Sequence, residues 1–167
     1  MTADDIKRAL NLRPHPAEGG FFAETYRSET ELLPGTIVAG GHAAALPLAT
    51  AIYYLLTPGT FSEIHRLPSD EIFHFYLGDP VEMLQLFPGG NGVTVRLGVN
   101  IVGGERPQVI VPKGVWQGSR LAPSGQFALL GTTMSPGFDY AGYCAGNRAE
   151  LLREYPQFRE AILALTR

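Results

Sequence analysis

The sequence predicts an all-β sandwich or barrel with a short helical segment at each end. Three observations carry that reading. From Phe21 to about Thr133, short runs rich in Phe, Tyr, Ile, Val and Thr alternate with Gly and Pro clusters, the pattern of strands cut by turns. About ten such runs at close spacing within one domain call for a closed or doubled sheet. The two ends carry helical rather than alternating spacing.

Taken in order, the opening segment is the first helix. Thr2 is placed to cap it, Asp5 stands three residues on, and Ile6, Ala9 and Leu10 share one face. Pro14 and Pro16 end it. Strands are expected near 21–27, 37–41, 48–57, 60–67, 71–77, 81–87, 93–99, 108–111, 115–121 and 126–133. Between them lie the turns TPG at 57–59, LPSD at 67–70, GDP at 78–80, PGGNG at 88–92, GGERP at 103–107 and APSG at 122–125. In the tail, Asn147 followed by Glu150 forms a capping pair ahead of Leu151 and Leu152. Pro156 starts a last short helix with Phe158, Ile162 and Leu165 on one side. No internal repeat or linker interrupts the chain, so residues 1–167 read as a single domain.

Composition narrows the function. A domain of this length buries roughly two thirds of its unfolded surface and needs no disulfide staple. Only 17% of residues are charged, below the usual quarter, which points to extensive buried surface, a subunit interface included. The net charge is −3 and lysine occurs only at Lys7 and Lys113. Without a basic stripe, neither a nucleic acid nor an anionic membrane surface is an expected partner. The lone Cys144 excludes an intramolecular disulfide and a four-cysteine zinc site, and reads as a small buried apolar residue. The N-terminus MTADDIKRAL lacks the basic-then-apolar order of a secretory signal, and the apolar runs are far short of a membrane span. A cytoplasmic location is the default expectation.

The informative stretch is FSEIHRLPSDEIFHFYLG at 61–78. By strand alternation, Phe61, Glu63, His65 and Leu67 share one face, and so do Glu71, Phe73 and Phe75 on the next strand. If the LPSD turn makes a hairpin, Glu71 stands opposite His65 inside the barrel. A buried imidazole beside a buried carboxylate is a perturbed pair and a candidate for proton transfer, as it is for a structural ion pair. Glu63 is expected at the barrel mouth, and Phe73 and Phe75 are expected to line an apolar pocket for a small organic ligand. Gln117 and Ser119 share a face and are candidate ligand contacts. Trp116, His74 and Tyr76 alternate away and read as packing or interface residues. Tyr26, Tyr54 and Tyr140 are candidate proton donors, and Arg27 and Glu24 are placed to approach the cavity from a crossing strand. Gly19 and Gly20 are followed by no Gly-Lys-Ser/Thr, so a phosphate loop is rejected.

The spacing of Gly59, His65, Leu67, Glu71 and Gly78 resembles the first motif of the cupin superfamily, G-x5-H-x-H-x3-4-E-x6-G, with leucine at the second histidine. The second motif is recognisable in GGERPQVIVPKGVWQGSRL, where Pro112 and Gly114 match, Gln117 replaces the histidine and Leu121 the asparagine. Several segments in order resemble the cupin-five branch more closely: HPAEGGFFAETYRS at 15–28, FSEIHRLPSDEIFHFYLGDP at 61–80, VIVPKGVWQGSRL at 109–121, SPGFDYAGY at 135–143 and EYPQF at 154–158. Ala17 is a departure, since many members read HPEGG. The resemblance implies a double-stranded β-helix, the jelly-roll cupin barrel, with a ligand cavity and a homodimeric state. It also implies a likeness to deoxysugar epimerases without fixing a reaction.

A typical cupin metal site takes three histidines and a glutamate. Here the matching positions hold His65, Leu67, Glu71 and Gln117, a poor set for a first-row metal. No cofactor is expected, and weak divalent-metal binding at His65, Glu71 and Gln117 is the residual option. The expectation is a small-molecule-binding cupin acting as a metal-independent isomerase or epimerase on a sugar-like or carbonyl substrate. His65 and Glu71 carry protons, and Gln117, Ser119, Phe73, Phe75, Glu63 and Tyr26 contact ligand. A non-enzymatic binder or sensor, and a metal-dependent cupin enzyme, stay open as alternatives.

Overall fold

The computed structural model describes residues 1–35 and 45–167. The strand expected at 37–41 lies outside them. In chain order the described elements begin with α1 (Ala3–Ala9), β1 (Arg13–Pro14), β2 (Phe21–Arg27), β3 (Glu31–Leu32), β4 (Leu46–Pro47) and β5 (Thr50–Leu56). Next come β6 (Phe61–Arg66), β7 (Glu71–Gly78), β8 (Val81–Phe87), β9 (Asn91–Leu97), β10 (Gln108–Val111), β11 (Trp116–Leu121) and β12 (Ala128–Met134). The chain closes with β13 (Cys144–Ala145), α2 (Arg148–Glu154) and α3 (Arg159–Ala164).

The strands form a six-stranded sheet in the order β1-β2-β5-β12-β7-β10 and a five-stranded sheet in the order β13-β6-β11-β8-β9, with β3 and β4 pairing apart. Alternation decides what each face meets. Inward residues of both sheets, among them Phe22, Tyr54, Phe73, Phe75, Met83, Val109 and Leu130, form one core between the sheets. Outward residues of the smaller sheet, Ile64, Leu84 and Leu86, are covered by Leu151, Tyr155, Ile162 and Leu165 from the C-terminal helices. Outward Leu55 and Leu129 of the larger sheet are covered by Ile6 of α1. The helices therefore serve as lids on the apolar outer faces. Their ends are set as the sequence indicates: Thr2 and Asp5 form a reciprocal capping box, and Asn147 accepts from the Glu150 amide.

Two sequence expectations change. Residues 61–66 and 71–78 do not pair as a hairpin; β6 belongs to one sheet and β7 to the other. The LPSD segment is a crossing between sheets, so any meeting of His65 with Glu71 happens across the interior. Cys144 is half-buried on an edge strand rather than in the core. The opposite parity of His74 and Tyr76 holds: their rings stack on the outer face of β7, Tyr76 half exposed. Trp116 likewise packs beneath the C-terminal helices, with the Arg66 guanidinium 4.5 Å from its ring.

Candidate functional site

The site is assembled from both sheets and one turn. On β6, Ile64 points outward to the helices, so its neighbour His65 must point inward. Gln117 of β11 pairs in register with His65. Its amide nitrogen reaches across the interior and donates to Glu71 Oε2 at 2.6 Å, joining the two sheets. Glu71 is the first residue of β7 and is buried.

The third contributor is the segment HPAEGG. His15 Nδ1 accepts from the backbone amides of Ala17 at 3.3 Å and Glu18 at 2.9 Å, closing a tight turn. The Glu18 carbonyl accepts from the Glu63 amide at 2.8 Å, which ties the turn to β6. Gly19 and Gly20 follow with φ of 92° and 69°, in the left-handed region that favours glycine. A Cβ on Gly19 would lie 2.5 Å from the Phe61 carbonyl oxygen. The glycine pair thus lets the chain pass close to β6 while Glu18 enters the barrel.

Hydrogen bonds fix both imidazoles. His65 Nδ1 lies 2.7 Å from the Glu63 carbonyl oxygen, so it carries the proton. Its Nε2 is left with a lone pair, 3.4 Å from the Gln117 amide nitrogen and 3.6 Å from Glu18 Oε1. His15 has the other arrangement. Its Nδ1 accepts, so Nε2 carries the proton, 3.9 Å from the same Glu18 oxygen. One carboxyl oxygen sits between an imidazole lone pair and an imidazole N–H. Tyr143 stacks on His65 with ring centroids 5.0 Å apart.

Burial sets the charge states. It pushes the Glu18 carboxyl up to about 8. Glu71 rises to about 7, first through burial and then through the charge of Glu18, offset in part by His65 and by hydrogen bonds from Gln117 and Thr132. Burial, with a smaller push from His65, lowers His15 to about 4. His65 is also lowered by burial, against the opposing pull of Glu71 and the Glu63 carbonyl. Burial thus disfavours the charged imidazoles and holds the protons of both carboxyls up toward neutral pH, a pattern shared by acid–base sites and structural ion pairs.

A cavity of about 280 Å³ opens beside these groups. His15, Glu18, Glu71 and Thr132 form its inner wall, Phe22, Ile52, Met134 and Phe138 its apolar sides, and Arg13, Glu24, Arg27 and Tyr140 its mouth. Glu71, Arg27, Glu24 and Tyr140, all candidates from the sequence, lie on this lining. His65 does not line the wall; it lies behind Glu18. Phe73 and Phe75 belong to the core between the sheets. Glu63 turns away to the C-terminus, accepting from the Arg167 amide at 3.2 Å with its guanidinium 3.9 Å away. Tyr26 is more than half exposed and off the wall, and Tyr54 is buried with its hydroxyl donating to the Gly19 carbonyl. Gln117 and Ser119 are buried, and Gln117 Oε1 and Ser119 Oγ have no hydrogen-bond partner among the described residues.

Sequence reasoning passed over Glu18, His15 and Tyr143 as site residues. The available signal was the His-Pro-Ala-Glu-Gly-Gly order itself: a histidine three residues before a glutamate, then two glycines, is a turn able to drive a carboxylate inward. Leu67 cannot ligate, Gln117 turns its nitrogen to Glu71, and no group of three His, Cys, Asp or Glu side chains among the described residues is arranged to hold an ion.

Two facing antiparallel sheets, with His65 and Gln117 of one meeting Glu71 of the other in the interior, make a jelly-roll barrel of the cupin class. The chain belongs to the family described as Cupin superfamily (DUF985), which it matches over residues 4–145. It is similar to protein SO0799 from Shewanella oneidensis, with 36% identity and a TM-score of 0.86 over 100% of this chain and 98% of that one. A hypothetical protein from Leishmania major is 30% identical with a TM-score of 0.87 over 99% of each chain. The uncharacterized protein YML079W of Saccharomyces cerevisiae is 31% identical over 131 residues, which cover 74% of this chain and 65% of the yeast protein. Oxalate decarboxylase from Bacillus subtilis, 12% identical with a TM-score of 0.54 over 93% of this chain and 37% of that one, shares the fold alone.

Proposed function

We propose that this chain is a small-molecule-binding cupin that performs metal-independent acid–base chemistry, an isomerase or epimerase moving a proton on the carbon next to a carbonyl of a sugar-like or other carbonyl compound. The observation that carries the reading is the pair of buried carboxyls, Glu18 and Glu71, both on the cavity wall and both raised to near neutrality.

Glu71, with the lower value, is the base. Its carboxylate takes the α-proton, and the C–H electron pair moves into the carbon–carbon bond as the carbonyl becomes an enolate. Glu18, with the higher value, is the acid and gives its proton to the enolate oxygen or to the opposite face of the carbon. Such paired roles follow when environment sets two carboxyls apart, and positioned acid–base groups contribute about 10²–10⁴-fold each. His65 acts behind Glu18: its Nε2 packs 3.6 Å from Glu18 Oε1, beyond hydrogen-bond distance, and limits where the carboxyl can sit, so it is a positioning residue. Gln117 does the same for Glu71.

The test is proton exchange from deuterated solvent into a panel of hydroxy-carbonyl compounds, followed by NMR. Exchange is expected in the native protein, reduced about 10²–10⁴-fold in Glu71→Gln. An undiminished rate in Glu71→Gln would remove Glu71 as the base. Binding without exchange would favour a non-enzymatic binder.

A further inference from the structure

We infer that the compound handled in this cavity carries an oxyanion, a carboxylate or a phosphate, that seats on Arg13 at the mouth while its carbonyl end reaches Glu18 and Glu71. This rests on the acid–base reading above.

The mouth holds three charged side chains, and two of them neutralise each other. Arg27 donates from Nε to Glu24 Oε1 at 3.0 Å and from a terminal nitrogen to Glu24 Oε2 at 2.7 Å, a bidentate pair. Arg13 forms no ion pair among the described residues, although the chain carries more acidic than basic residues. Its place is nonetheless fixed. Arg13 pairs in register with Phe22, and its guanidinium lies 5.1 Å from the centre of the Phe22 ring, a cation–π distance. That ring is a cavity wall and also meets the His15 ring in a T-shaped contact, centroids 4.6 Å apart.

A guanidinium stacked on an aromatic wall keeps its planar fork of N–H donors free. That fork matches the oxygens of a carboxylate or phosphate, and a cation at a concave lip concentrates anions there. The same ring joins the seat to the acid–base end, since His15 touches both Phe22 and the Glu18 turn. A ligand anchored by its anion at the lip therefore points its other end inward.

The experiment uses matched probes: glucose 6-phosphate against glucose, fructose 6-phosphate against fructose, and 2-oxoglutarate against its dimethyl ester. Each is titrated into the full chain by calorimetry at two salt concentrations. The expected result is an anionic probe binding at least tenfold tighter than its neutral partner, more weakly at high salt. Arg13→Gln should lose about tenfold or more of that affinity, and Arg13→Lys should keep part of it. Preference for the sugar phosphates or for the oxo acid identifies the oxyanion. The inference is overturned if the neutral partners bind as tightly, if Arg13→Gln binds the anionic probe unchanged, or if no anionic probe binds. Exchange measured on the same panel separates the two readings. Exchange confined to neutral probes keeps the acid–base site and removes the seat; Arg13-dependent binding without exchange keeps the seat and removes the acid–base site.

Discussion

Replacing Glu18 by Gln should make the protein more stable in mild alkali, by an amount that can be worked out. In the native state burial holds the Glu18 proton up to about pH 8, whereas an unfolded glutamate loses it near its ordinary value of 4.5. A group with a raised folded value contributes stability that is present at low pH and lost as pH rises through that value. Between about pH 6 and about pH 8 the native carboxyl keeps roughly one proton that the unfolded chain has given up, at about 1.4 kcal/mol per pH unit, tapering as pH 8 is reached. The loss is about 2 kcal/mol, or about 4–8 °C in Tm for a chain of this size. His15 has the opposite sign: lowered to about 4, it favours the native state as pH rises through the window from about 4 to 6.5. The two effects oppose each other in mild acid, so the wild-type curve alone is a poor reporter. The difference between wild type and Glu18→Gln removes the His15 contribution and reports Glu18 together with the part of the Glu71 shift that the Glu18 charge causes. Urea denaturation of both proteins across this range should give curves that diverge by about 2 kcal/mol, the variant gaining toward pH 8. Parallel curves would show that Glu18 is ionised at neutral pH, and the acid assigned to the cavity would be lost.

Three further outcomes test the scaffold. Ile64→Ala should cost about 2–5 kcal/mol in urea melts, because Ile64 is fully buried between β6 and the C-terminal helices; a cost under about 1 kcal/mol would mean those helices do not cover that face. Gly78→Ala should give little folded protein by circular dichroism, since φ is 105° and a Cβ would stand 2.3 Å from the Phe127 carbonyl oxygen; wild-type folding there would contradict that close approach. Thr2→Ala should lower stability by about 0.5–2 kcal/mol through loss of the α1 cap while leaving ligand binding in the cavity unchanged, and no change in the melt would show that α1 adds nothing to the fold.

Periodicity and turn chemistry are local, so the sequence carried them openly. The alternation in FSEIHR and EIFHFYLG dictated which residues face inward, and Gly and Pro clusters marked where strands stop. β9 is found at Asn91–Leu97 rather than 93–99 because its pairing with β8 starts at once from the turn, Asn91 opposite Phe87. The two-residue strands β1, β3, β4 and β13 are too short to show any period, and pairing alone defines them. The spacing from Gly59 to Gly78 also placed His65 and Glu71 in one interior. What no local pattern could supply is which sheet each strand joins. Only the fold puts β6 and β7 on facing sheets, so that Gln117 bridges from His65 to Glu71. Only the fold brings Glu18, over forty positions earlier in the chain, between His65 and the cavity. Inward or outward is decided by each strand's own geometry, but proximity of groups distant in sequence, and the burial that sets their charge, arises when the two sheets close.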